Sequence, residues 1–202
     1  MYYKFTSLAS IERVIDVFVN KRLYASNYKS LNDPMEGFYL SDINFNNRVR
    51  DLIYNQKQEI RICSFTKKVE NNLMWAHYAD SFKGISIGFE LSKQLENSIY
   101  AINYEGLHNY DSMISENQNL LKIFQCKLPE WEYENEYRII GLTQNEYVSI
   151  NPEELIFGLH VNVNIKKMFW HFISNLNQNI SLKQQVRING GIQIVEFNIN
   201  EL

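Results

Sequence analysis

The sequence predicts an α+β fold, and three observations carry that expectation. Short runs of aromatic and β-branched residues outnumber the amphipathic helical stretches. The two kinds of segment do not alternate strictly, as a doubly wound parallel sheet would require. A length of 202 residues with 45% hydrophobic content is enough for one domain with a proper core. The expected architecture is a single domain over 1–202, a split antiparallel or mixed sheet with flanking helices. No internal repeat, low-complexity linker or clear domain boundary is visible.

The elements follow in order. Residues 2–6 read as a short strand, and Ser7 or Ser10 is placed to cap a helix. Ile11, Val14, Ile15 and Phe18 then recur at the spacing of one buried helix face. Leu23 to Ser26 is a short strand, and Leu31 to Gly37 a loop of turn-forming residues. Phe45, Val49, Leu52 and Ile53 mark a second helix; Glu59 to Phe65 alternates like a strand. A short helix over Asn71–Asp80 is capped by Asn71 or Asn72, and strands follow at Gly84–Glu90 and Ser98–Tyr104. Ser115 to Gln125 is helical, and Tyr137 to Gly141 a strand. Asn151-Pro152-Glu153-Glu154 opens a short helical turn, Leu155 to Val163 is a strand, and Ile165, Met168, Phe169, Phe172 and Ile173 give another amphipathic helix. Val186 to Ile199, with Gly190-Gly191 at its centre, closes the chain as a hairpin. The C-terminal helix and hairpin span 164–199.

Bulk properties narrow the function classes. Net charge is −3, which argues against non-specific nucleic-acid binding through overall charge, though not against a local basic patch. No apolar run approaches the roughly 20 residues of a membrane span, so no membrane partner is expected. The N-terminal residues lack the order of a signal peptide. Cys63 and Cys126 suit free thiols in a reducing compartment, so a cytoplasmic location is expected. Neither Cys has a CxxC partner, no His/Cys cluster has zinc-like spacing, and no metal is expected. Glycine-rich phosphate loops and HExxH are absent.

Three segments carry chemistry. The first is Trp131-Glu132-Tyr133-Glu134-Asn135-Glu136-Tyr137-Arg138. Extended from Glu132, it would put Glu132, Glu134, Glu136 and Arg138 on one face. Carboxylates that close repel, so at least one is expected to ionise less readily than a free Glu. The Arg138 guanidinium offsets that repulsion and holds a carboxylate in a set orientation. Two readings stay open: an edge strand charged against aggregation, or a catalytic or ligand-orienting carboxylate in a cleft. The second segment is Asn32-Asp33-Pro34-Met35-Glu36, where Asp33 and Glu36 either line a pocket or belong to a rigid turn. The third is Leu73 to Asp80 with Lys83-Gly84. There His77 is either an acid/base group or a satisfied core histidine. Trp75 and Tyr78 are candidates to stack on a planar ring, Lys83 to meet a phosphate, and Gly84 to admit a close backbone approach.

The order of these pieces resembles a family. Tyr3-Lys4-Phe5-Thr6, Leu31 to Glu36, Cys63-Ser64-Phe65, Leu73 to Asp80, Lys83-Gly84-Ile85, Lys127 with Trp131, and Tyr133 to Arg138 together look like the bacterial domain-of-unknown-function family 2971, over about residues 2–160. The opening strand is also similar to the start of DNA-modifying, toxin-type ADP-ribosyltransferases, which have Tyr-His-Phe-Thr there. That second resemblance implies an ADP-ribosyltransferase-like split sheet and NAD as substrate. Lys4 falls where that group has His, Tyr78 where it has an aromatic, and Glu136 or Glu134 where it has a late-strand Glu. Lys cannot accept the hydrogen bonds that a neutral His accepts, so NAD would need another orienting group.

The first expectation is therefore a cytoplasmic enzyme acting on NAD or a related nucleotide, with nucleic acid as a candidate acceptor, in conflict with phage or other mobile elements. Glu136, Glu134 and His77 would be catalytic. Lys4, Asp33, Glu36, Trp75, Tyr78, Lys83 and Arg138 would bind substrate. A second expectation is a non-enzymatic module that binds a nucleotide or a nucleic-acid end, its carboxylates only bracing the basic residues. A third is a nuclease holding Mg²⁺ between Asp33, Glu36, Glu134 and Glu136.

Overall fold

The structure, a computed structural model, describes residues 1–42, 45–141, 146–176 and 179–201. Its elements are β1 (Tyr2–Thr6), α1 (Ile11–Asn20), β2 (Arg22–Tyr24), β3 (Ser26–Asn27), α2 (Asn47–Glu59), β4 (Arg61–Thr66), α3 (Asn72–Tyr78), β5 (Ile85–Leu91), β6 (Ile99–Ala101), α4 (Glu116–Ile123), β7 (Glu136–Gly141), β8 (Tyr147–Phe157), α5 (Val163–Ser174), β9 (Ser181–Ile188) and β10 (Gly191–Glu196). The class is α+β. The chain divides into two compact units built from non-consecutive segments. One comprises Met1–Leu23, Phe65–Lys93 and Ser149–Leu202; the other comprises Tyr24–Ser64 and Gln94–Val148.

In the first unit the strand order is β10-β9-β8-β5-β1. Neighbours are antiparallel except β8 and β9, which run parallel with Glu154 opposite Ser181. A parallel pair needs a long crossover, and α5 supplies it. Val14 and Phe18 of α1 and Phe169 and Ile173 of α5 pack on Ile85, Ile87, Leu155 and Phe157. Met168 is 39% exposed, so the buried stripe of α5 is narrower than the sequence pattern implied. Asn71 caps α3 by accepting the Leu73 amide at 2.9 Å.

Two details of this unit differ from, or sharpen, the sequence reading. Asn151 to Glu154 does not open a helical turn; it lies inside β8. The register with β5 shifts between Gly88 and Phe89, which pair with Glu154 and Pro152. A bulge tolerates a residue that cannot donate to the ladder, so Pro152 fits there. The hairpin β9–β10 turns through Asn189 (φ 50°) and Gly190 (φ 78°), the two positive φ values that a tight two-residue loop demands.

After α3 the chain makes a left-handed turn, with φ of 47°, 52° and 68° at Asp80, Ser81 and Phe82. The amides of Ser81, Phe82 and Gly84 donate to the Ala76, Trp75 and Ala79 carbonyls at 3.1, 3.2 and 2.7 Å. The turn delivers Gly84 against β1. A Cβ there would lie 2.3 Å from the Thr6 carbonyl oxygen and 2.9 Å from Ala79, the close approach expected of this glycine.

In the second unit β3 pairs antiparallel with β4, and β6 antiparallel with β7, which neighbours β4. Ile53 and Ile60 of the α2 region and Leu120, Ile123 and Phe124 of the α4 region bury against Tyr28, Ile62 and Ile140. Asn46 caps α2 through the Arg48 amide at 2.9 Å. Ser115 and Gln118 form a reciprocal capping box on α4. Among the described residues, no helix is long and apolar enough to cross a membrane.

Candidate functional site

The Glu-rich segment is not extended from Glu132. Pro129 to Glu134 forms a 3-10 turn that ends at Asn135 in the left-handed region (φ 46°), and β7 begins at Glu136. Pro fixes a φ suited to the first position of a helical turn, and Asn tolerates the left-handed conformation that stops it. Glu132 is consequently exposed and does not share the face of the others. Glu134, Glu136 and Arg138 are buried all the same. The turn, rather than strand alternation, brings Glu134 inward.

Arg138 is 1% exposed and uses every one of its five N–H donors. Nη1 and Nη2 each donate to one oxygen of Glu36 at 2.7 Å, a bidentate pair. Nε and Nη2 donate to the two oxygens of Glu136 at 2.6 and 3.0 Å. The fifth bond goes from Nη1 to the Phe124 carbonyl at 2.8 Å. Lys127, also buried, donates from Nζ to Glu134 at 2.5 Å and to Glu136 at 3.1 Å. The Tyr104 hydroxyl accepts the Glu136 amide at 2.7 Å.

Electrostatics follow from that arrangement. Burial alone would raise the Glu136 carboxyl, but the Arg138 and Lys127 charges and the bonds from Arg138 and Ser64 outweigh it and hold Glu136 at about 2. The sequence reading expected repulsion to make a carboxylate of this group harder to ionise. For Glu136 the opposite holds, because two cations lie inside the cluster. Burial, together with the charges of Glu136 and Glu134, pushes the Tyr104 phenol up. A buried pair of this kind is destabilised by about 3–5 kcal/mol when one partner is removed, since the other is left uncompensated.

The network ties two segments to β7. Arg138 fixes the loop that carries Glu36, and Lys127 fixes the turn that carries Glu134. The same two segments wall a cleft of about 320 Å³ lined by Asp33, Pro34 and Met35 on one side and Leu128, Glu130, Trp131 and Tyr133 on the other. Asp33 is buried and holds its own loop, its Oδ1 accepting the Met35 amide at 2.8 Å. Trp131 and Tyr133 lie with ring centroids 6.2 Å apart at 34°. The Lys127 ammonium is 4.8 Å from the centre of the Trp131 ring.

Of the residues singled out from sequence, Asp33, Glu36, Glu134, Glu136 and Arg138 therefore gather in the second unit. Lys4, Trp75, His77, Tyr78 and Lys83 belong to the first. Trp75 is fully buried, its indole N–H donating to the Val69 carbonyl at 2.7 Å and its rings packed against Phe5 and Phe82. It has no exposed face to stack on a ligand. His77 is exposed in the last turn of α3, Tyr78 and Lys4 are half-buried, and Lys83 is exposed.

The sequence gives no site role to Lys127, Trp131 or Tyr133, although all three lie in the family-like motifs. Nor does it mark a second buried group in the first unit. Glu154 pairs with Lys183 at 2.5 Å and fits over Gly88, where a Cβ would meet its Cγ at 2.3 Å. Burial and the neighbouring Glu154 push the Tyr3 phenol up to about 12. Among the described residues, no three His, Cys, Asp or Glu side chains are grouped so as to hold a metal ion. Arg138 and Lys127 stand against the oxygens of Glu36, Glu134 and Glu136 that a divalent ion would need.

Residues 74–139 match the family model described as protein of unknown function (DUF2971). This is the family the ordered motifs resemble, over a narrower span than 2–160. The match takes in Met74 to Tyr78 of α3, Lys83-Gly84, Lys127 and the whole segment from Trp131 to Arg138. No curated protein and no solved structure matches the chain.

Proposed function

We propose that this chain is a binding module for a small planar ligand of the nucleotide or NAD-like class, seated in the cleft between the Asp33–Met35 loop and the Leu128–Tyr133 turn. The single observation that supports it most is the pairing of an aromatic-walled cleft with a buried ion network that fixes both walls. Ligand sites of this size are typically apolar clefts with a few fixed polar groups, and rigid walls lower the ordering cost of binding. Trp131 and Tyr133 offer ring surface, and Asp33 and Glu130 offer carboxylates. The volume of about 320 Å³ suits a heteroaromatic ring with part of its sugar, not a whole dinucleotide.

The same geometry favours binding over transfer chemistry. Both oxygens of Glu136 already accept bonds from Arg138, one of them also from Lys127. A carboxylate so occupied is poorly placed to stabilise a charge developing on a substrate. Equilibrium dialysis with NAD, followed by assay of free nicotinamide, tests the reading. Retained NAD with no nicotinamide released is the expected result. Nicotinamide release that stops in Glu136→Gln would establish a transferase or glycohydrolase instead.

A further inference from the structure

The charge of the cleft lining is one-sided. Asp33 and Glu130 are its ionisable carboxylates, and none of its seven lining residues is a Lys, Arg or His. Lys127 is the nearest cation that the geometry identifies, and it does not offset them. Its ammonium is engaged by Glu134 at 2.5 Å and Glu136 at 3.1 Å, and Arg138 is likewise saturated by Glu36 and Glu136. Taken together, Asp33, Glu36, Glu130, Glu134 and Glu136 outnumber Lys127, Arg138 and Lys57, whose ammonium bonds the Gly37 carbonyl beside Glu36 at 2.8 Å, so the net charge of these groups is negative. The wall has a matching property. An indole face attracts a cation through its quadrupole, and Trp131 already holds the Lys127 ammonium 4.8 Å from its ring centre.

From these observations we infer that the cleft selects a cationic group, a pyridinium or quaternary ammonium nitrogen, over a neutral ring of the same shape. The inference rests on the proposed cleft and deepens it by naming the charge of the ligand. The cation would stand against the Trp131–Tyr133 wall with the carboxylates of Asp33 and Glu130 as its counter-charge. Phosphates of a larger ligand would point away from the acidic lining.

Calorimetric titration of the full chain with 1-methylnicotinamide, nicotinamide and tetramethylammonium separates the possibilities. The cationic ring is expected to bind about tenfold more tightly than the neutral one. Glu130→Gln, an exposed position that leaves the buried network intact, should reduce that preference several-fold, and added salt should do the same. Equal affinity for the two rings would overturn the charge inference and leave the cleft reading standing. The same holds for a preference that neither Glu130→Gln nor salt alters. Binding of tetramethylammonium alone, sensitive to Glu130→Gln, would uphold the charge inference and remove the planar-ligand reading. Failure of all three to bind would overturn both.

Discussion

Arg138 and Glu136 show how a handful of side chains decides what this segment can do. A guanidinium presents its donors in a fixed fork, and here the whole fork is committed inside the protein. Glu136 consequently carries a stability signature with a definite sign. Its folded value, about 2 against an ordinary 4.5, is depressed. The stability it contributes is therefore present above about pH 4.5 and is lost as pH falls toward 2, by an amount on the order of a few kcal/mol. Urea unfolding of the wild type and Glu136→Gln across pH 7 to 3 checks this. The wild type should weaken below about pH 4.5, and the variant, weaker throughout, should show a shallower acid slope. Parallel slopes would mean that Glu136 is not the depressed group. At this scale the sequence disclosed much. Glu134, Glu136 and Arg138 were recognisable as a charged set, and Asp33 and Glu36 as a second. That Glu36 is the partner of Arg138, 102 residues away in sequence, was not legible, because an ion pair between distant segments leaves no local pattern. Lys127 lies only 7 and 9 residues from its partners Glu134 and Glu136, but the turn that brings them together gives no periodic pattern.

At the scale of elements, turns rather than strands place the site. Residues 130–134 alternate Glu with Trp or Tyr, a period of two that suggests extension from Glu132. Pro129 overrides it by pre-setting helical φ, and Asn135 ends the turn by entering the left-handed region. Pro152 misled in the opposite direction: a proline that signals a helix start sits instead at a bulge of β8. The turn at Asp80, Ser81 and Phe82 is also invisible to pattern reading, since residues with side chains enter the left-handed region at a cost of about 1–2 kcal/mol each. Its backbone bonds to α3 and the delivery of Gly84 against Thr6 offset that cost. Ser81 is exposed, so Ser81→Gly should relieve strain and stabilise by about 0.5–1 kcal/mol, net of the extra freedom that glycine gives the unfolded chain. A midpoint of thermal unfolding that stays put or drops would show that the turn is not strained at this position.

For the whole molecule, the α+β class was readable because it depends on the number and order of elements, which hydrophobic periodicity records. The interleaving of two compact units was not readable. Each is assembled from separated segments, and no Pro-, Gly- or Ser-rich stretch marks where the chain passes from one to the other. This bears on function directly. Trp75, His77, Tyr78 and Lys83, close in sequence to each other, belong to the first unit, and the glutamates Glu36, Glu134 and Glu136 to the second. The proposed ligand cleft lies in the unit of Tyr24–Ser64 and Gln94–Val148, with Trp131 as its aromatic contact. Calorimetry of NAD binding to the wild type and Trp131→Ala, with thermal unfolding of both, tests that assignment most directly. NAD is expected to bind the wild type, and Trp131→Ala to weaken it by tenfold or more while the unfolding midpoint moves only a few degrees. Wild-type protein that does not bind NAD, or a Trp131→Ala variant that binds it as well as the wild type does, would place ligand binding elsewhere or remove it.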